Sequence, residues 1–152
     1  MNAITMLLDD HAKMRKLLTE LEATTERGLK IRAELFSTIK GELTIHEIIE
    51  EEIFYPELKA HPKAKDIVLE GYQEHHVVDL VMKELEECPV DDESWGAKAK
   101  VMVENVRHHM EEEEGEMFKQ ARSVFDRSEL EDLGERMEAR RVSAKKELGV
   151  PA

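Results

Sequence analysis

The 152 residues carry a formal net charge of −13, which argues against binding a phosphate backbone through clustered Lys and Arg and disfavours an anionic membrane surface. With 38% charged and 5% aromatic residues, 7 Gly and 4 Pro, the composition suits one all-helical domain. Cys88 is the single cysteine, so no internal disulfide can form, and a reducing, cytoplasmic setting is expected. The start lacks a basic segment leading into an apolar run, and no stretch reaches the ~18 apolar residues of a membrane span.

Apolar residues at three- and four-residue spacing predict a first helix over 3–26, with Ile4, Leu7, Leu8, His11, Met14, Leu18 and Leu21 on one stripe and Gly28 as its stop. A second, over 29–58, carries Leu35, Ile39, Leu43, His46, Ile49, Glu50 and Ile53; Pro56 and Pro62 bound or bend its end. A third, over 62–87, presents Val68, Gly71, His75, Val78, Met82 and Leu85 and stops at Pro89. The fourth, over 93–124, is capped from Asp91, Asp92 or Ser94 and presents Val101 or Met102, then Val106, His109, Glu113, Met117 and Val124. A last helix, over 129–147, opens on the capping-box pattern Ser128-x-x-Glu131 and has a narrower face of Leu130, Leu133, Met137 and Arg141. The expected architecture is an all-α, up-down-up-down four-helix bundle over 1–126, with an additional C-terminal helix in 127–152 packed on the bundle or at an interface.

His11, His46, His75 and His109 each fall on the apolar stripe of a different predicted helix. A buried imidazole needs a partner, and one such His is more often a satisfied core residue than a ligand; four, one per helix, reverse that weighting. The spacing His-x-x-x-Glu occurs at His46/Glu50 and again at His109/Glu113, and residues four apart share a helix face. Two inward carboxylates would be costly unless a cation met them. The chain also repeats itself. Asp10-His11 corresponds to Glu74-His75, and His46-x-x-x-Glu50-Glu51-x-x-Phe54-Tyr55 corresponds to His109-x-x-x-Glu113-Glu114-x-x-Met117-Phe118. Two like hairpins facing each other would create a pseudo-twofold site suited to a pair of ions. Four imidazoles and two carboxylates satisfy two ions if Glu50 and Glu113 each bridge both, with two His per ion and an oxo or hydroxo bridge. Mixed imidazole and carboxylate ligation suits Fe, with Mn or Zn as substitutes.

These residues, in this order, resemble the hemerythrin-like (HHE cation-binding) family over about residues 3–124. The resemblance implies a di-iron centre in a four-helix bundle, with Glu50 and Glu113 bridging and His11, His46, His75 and His109 as terminal ligands. It also implies a small diatomic or peroxide ligand (O2, peroxide or NO), with catalase-like peroxide breakdown as one outcome and iron or oxygen sensing without turnover as the other. The oxygen carriers of the family have a fifth His, one turn before the ligand of the third helix; Gly71 stands there in this chain, and Glu47 is a candidate metal ligand to fill the gap. No nucleic-acid or membrane partner is expected, and the chain is expected to be a monomer or a homodimer. His76 and His108 adjoin ligands but point ~100° away around their helices. Tyr55 and Tyr72 read as packing residues within hydrogen-bond reach of the site.

Overall fold

The computed structural model describes residues 1–152, all of it helix and short connections. Helix α1 (Ala3–Glu22) starts where the Asn2 side chain accepts the Thr5 N–H at 2.9 Å. It ends at Ala23, so Gly28 does not stop it but precedes α2 (Leu29–Ile49) as its N-cap. Helix α2 does not run on to 58. It passes into a π-helical turn, Glu50–Phe54, and then α3 (Tyr55–Lys59). A 3₁₀ turn, Pro62–Ala64, leads into α4 (Lys65–Glu87). Helix α5 (Trp95–Glu112) enters a second π turn, Glu113–Met117, before α6 (Phe118–Val124). The last helix, α7, spans Arg127–Leu148. Its capping box is built by Asp126 and Glu129, two residues before the predicted Ser128 and Glu131. The Asp126 carboxylate accepts the Glu129 N–H at 2.8 Å, and Glu129 returns to the Asp126 N–H at 3.1 Å.

The bundle is up-down-up-down. Helix α1 packs on α2 and α5, α4 on α5 and α3, and α7 lies across α1 and α2. The seat of α7 is close: a Cβ on Gly134 would lie 2.1 Å from the Met1 carbonyl oxygen, so only glycine lets the two backbones meet there. Leu133, Met137 and Ala144 are buried beside it.

Two apolar clusters fill the bundle. One gathers Leu7, Ile49, Phe54, Tyr55, Val68, Met117 and Phe118; the other gathers Met14, Leu18, Ile39, Leu43, Val78, Met102, Val106 and Met110. The boundary between them falls at the same height on each helix. His11 sits between Leu7 and Met14, His46 between Leu43 and Ile49, His75 between Val68 and Val78, and His109 between Val106 and Met117. A belt of buried polar side chains therefore separates two greasy ends. No helix is long and apolar enough to cross a membrane.

Candidate metal centre

The six side chains singled out in the sequence meet in that belt. His11, His46, His75, His109, Glu50 and Glu113 are all buried, the two carboxylates completely. Their donor atoms form two groups, His11–His46–Glu50–Glu113 and His75–His109–Glu50–Glu113, in each of which the atoms lie within 4.8 Å of one another. Both carboxylates belong to both groups. Glu113 turns one oxygen to each half: Oε1 lies 3.0 Å from His11 Nε2, and Oε2 lies 3.4 Å from His109 Nε2. Glu50 Oε1 lies 3.2 Å from His46 Nε2 and 3.1 Å from His75 Nε2.

All four imidazoles turn Nε2 inward, because each Nδ1–H donates to a carboxylate outside the cluster. Asp10 on α1 accepts from His46 at 2.9 Å, and Glu51 in the first π turn accepts from His75 at 3.0 Å. Glu74 on α4 accepts from His109 at 2.7 Å, and Glu114 in the second π turn accepts from His11 at 2.7 Å. The four contacts close a ring through α1, α2, α4 and α5. Such partners fix the ring orientation and aim Nε2 at the centre. Sequence reasoning gave these acids no role. The signal was present, since each stands beside one of the six candidate donors at equivalent places in the two repeats.

The π turns bring one aromatic ring into each half. In both, the N–H five residues on bonds back to the glutamate carbonyl, Tyr55 to Glu50 and Phe118 to Glu113. Tyr55 stacks on His75 with ring centroids 5.2 Å apart, and its repeat counterpart Phe118 stacks on His11 at 5.7 Å. The two rings differ by one hydroxyl. Tyr55 donates to Glu113 Oε2 at 2.6 Å and sits 3.3 Å and 3.4 Å from Nε2 of His75 and His109. A Cβ on Gly71 would lie 2.8 Å from Met117 Cε and 3.0 Å from the Tyr55 hydroxyl. The space beside Gly71 is thus occupied by Tyr55 and Met117. Glu47 is buried but stands outside both donor groups, facing a cavity. That cavity, of about 390 Å³, is lined by His11 and His46 of one half and His109 of the other, with Met14, Leu43 and Val106 among others. His76 and His108 are exposed, whereas His61 rests edge-on against Phe125 at 5.2 Å.

The electrostatics fit a cation. Both Glu50 oxygens, His46 Nε2 and Glu47 Oε1 are buried without a hydrogen-bond partner. Burial would lower the basicity of His46, yet the facing Glu50, Asp10 and Glu113 hold its pKa well above the ordinary imidazole value. Burial opposes protonation of His75 too, but Glu50 and Glu51 raise it to about 9. His109 is raised in the same way by Glu113 and Glu74. Burial would raise Glu113, but His109 and His11 hold it well below the usual carboxylate range. Burial, with a hydrogen bond to Asp79, pushes Glu47 to about 9. Burial and the Glu113 and Glu50 charges keep the Tyr55 phenol protonated. Without metal, protons on His46, His75 and His109 balance the carboxylates; a metal ion would replace them.

The domain model for the hemerythrin HHE cation-binding domain matches residues 2–121. The chain belongs to the hemerythrin HHE family. A crystal structure of a hemerythrin HHE cation-binding domain-containing protein from Mycobacterium kansasii superposes with a TM-score of 0.87 at 26% identity, covering 97% of this chain and 89% of that one. A curated relative, a DNA nickase of Nostoc sp. (strain PCC 7120 / SAG 25.82 / UTEX 2576), is 24% identical over 149 residues. The match takes in 98% of this chain but only 42% of that relative. Within this HHE domain the two donor groups are the buried clusters that could hold a cation, while α7 lies beyond the matched residues.

Proposed function

We propose that this HHE domain is a non-haem di-iron protein that binds or reacts with a small oxygen species: dioxygen, peroxide or nitric oxide. The observation that carries the reading is the sharing of Glu50 and Glu113 by two four-donor groups, with both Glu50 oxygens left without any hydrogen-bond partner. His11 and His46 would hold one ion, His75 and His109 the other, and the two glutamates would serve both. When bound, two redox-active ions would supply oxygen-species binding and electron transfer that side chains lack; zinc or manganese could substitute structurally.

The chain's own contribution is orientation and exclusion of water. The Nδ1 carboxylates aim the imidazoles, the Tyr55 hydroxyl holds Glu113, and the apolar clusters flank the belt on both ends. Tyr55 crowds the His75/His109 half, and the cavity reaches His11, His46 and His109, so a small ligand would approach the centre from the cavity. A second reading is sensing without turnover, favoured by α7, which packs on α1 and α2 and could report occupancy. The one free thiol, Cys88, supports a reducing, cytoplasmic setting. Strand nicking is not carried over from the longer relative, because the chain spans less than half of it and has a net charge of −13.

The test is metal analysis of the protein as purified, with its absorption spectrum. Two irons per chain are expected, and Glu50→Ala or Glu113→Ala should lose iron. Full iron content in both variants would refute the shared-carboxylate assignment. Peroxide turnover by the loaded protein separates reaction from sensing.

A further inference from the structure

Arg141 stands on α7, outside the helices that carry the donors, and still reaches the centre's support. Its Nη2 donates to Asp10, 3.0 Å from Oδ1 and 3.1 Å from Oδ2. Asp10 Oδ2 accepts from His46 Nδ1 at 2.9 Å, and His46 Nε2 lies 3.2 Å from Glu50 Oε1. Arg141 and Asp10 keep only 15% and 11% of their side-chain exposure. We propose that Arg141 is a positioning residue for the metal half-site of His11 and His46, so that the docking of α7 sets how tightly that half holds its ion. The inference rests on the metal-centre reading above.

Three observations carry it. The first is asymmetry. Of the four acids that brace the imidazoles, Asp10 is held by Arg141 and Glu114 by Arg15 at 2.8 Å; no arginine lies within 4.0 Å of Glu51 or Glu74. Both arginines therefore serve the same half, that of His11 and His46. The second is origin. Arg15 is a neighbour on α1 itself and 41% exposed, whereas Arg141 comes from a separate element and is well packed. The third is geometry. Asp10 is short and must accept from two donors at once. A planar guanidinium with fixed N–H directions holds such a carboxylate in one rotamer, where a freely turning ammonium does less. Released from Arg141, Asp10 can turn toward water and leave the His46 ring free to rotate.

Helix α7 does not depend on Arg141 for its seat, because Leu133, Gly134, Met137 and Ala144 are buried and Arg140 pairs with Glu52 at 3.0 Å. That supplies a control on the same helix. The full chain is stripped of metal and titrated with Co(II), whose visible absorption reports the ligand set of each ion, in wild type, Arg141→Met, Arg141→Lys and Arg140→Met. Wild type should bind two ions. Arg141→Met should weaken one of them by about 10-fold, with a changed spectrum for that ion alone, the low end of the loss that follows when the ligand's own partner, here Asp10, is removed. Arg141→Lys should recover part of the affinity, and Arg140→Met should bind both ions as wild type does. Two unchanged ions in Arg141→Met, or an equal loss in Arg140→Met, would overturn the proposal. Should Arg141→Met fail to fold, Arg141→Lys binding both ions with wild-type affinity and spectra would overturn it as well. A wild-type chain that binds no Co(II) would instead sink the metal-centre reading.

Discussion

Replacing Tyr55 by Phe removes one oxygen and keeps a ring that is completely buried and stacked on His75. What is lost is the 2.6 Å hydrogen bond to Glu113, a carboxylate with no exposure. A hydrogen bond to a charged group contributes about 1.5–3 kcal/mol, and for a domain of this size each kcal/mol moves the melting temperature by about 2–4 °C. The metal-free variant should therefore melt roughly 3–12 °C below wild type by scanning calorimetry or circular dichroism. Tyr72→Phe is the matched control: its hydroxyl makes only a 3.5 Å contact with the Glu51 carbonyl, on a half-buried side chain. It should shift the melt by no more than about 2 °C. In the metal-loaded protein the cation also meets the Glu113 charge, so the Tyr55→Phe deficit should shrink. Equal melts for the two tyrosine variants, or a deficit that grows on loading, would refute this account of what Tyr55 does.

Gly71→Ala should destabilise the fold by about 1–3 kcal/mol in a denaturant titration, since the new methyl group would lie 3.0 Å from the fixed Tyr55 hydroxyl and only the Met117 end can yield. The metal-free protein should lose stability as pH rises. Folded His75 keeps its proton up to about 9 against 6.5 when free, so its contribution is complete below 6.5 and fades toward 9. That interval amounts to about 3 kcal/mol. Glu47 acts in the same direction, because its folded pKa of about 9 lies above the free value of 4.5. Ligation needs neutral imidazoles, so metal affinity should rise over the same interval. Melting temperatures at about pH 6 and about pH 9, with and without metal, check both signs.

The six donors were legible because each is a polar residue on an apolar stripe, and helical period alone places such residues inward. The two π turns were not. Each begins at its glutamate, so the His-x-x-x-Glu spacing survives, but the ring that follows is rephased. Counted along an unbroken α-helix, Tyr55 belongs to a packing face; with five residues in the turn it comes round over Glu50 and into the site. The bracing acids were hidden for a related reason. A residue next to an inward ligand points ~100° away, onto the seam with the neighbouring helix, and there it meets that helix's imidazole rather than its own. Glu51 against His75 and Glu74 against His109 are such cross-seam pairs. Arg141 was read as part of an apolar face, because nothing within α7 tells which side chain of another helix its tip will find.

The ring of braces has a consequence for transplantation and for drift. Each of the four main helices supplies an imidazole and, directly or from the π turn that follows it, steadies the imidazole of the next. The arrangement behaves like the stones of a closed arch. A helix that slid by one turn would misplace its own donor and unseat another's. Moving this centre into a foreign bundle thus means carrying the four acids together with the six donors, in register across every seam.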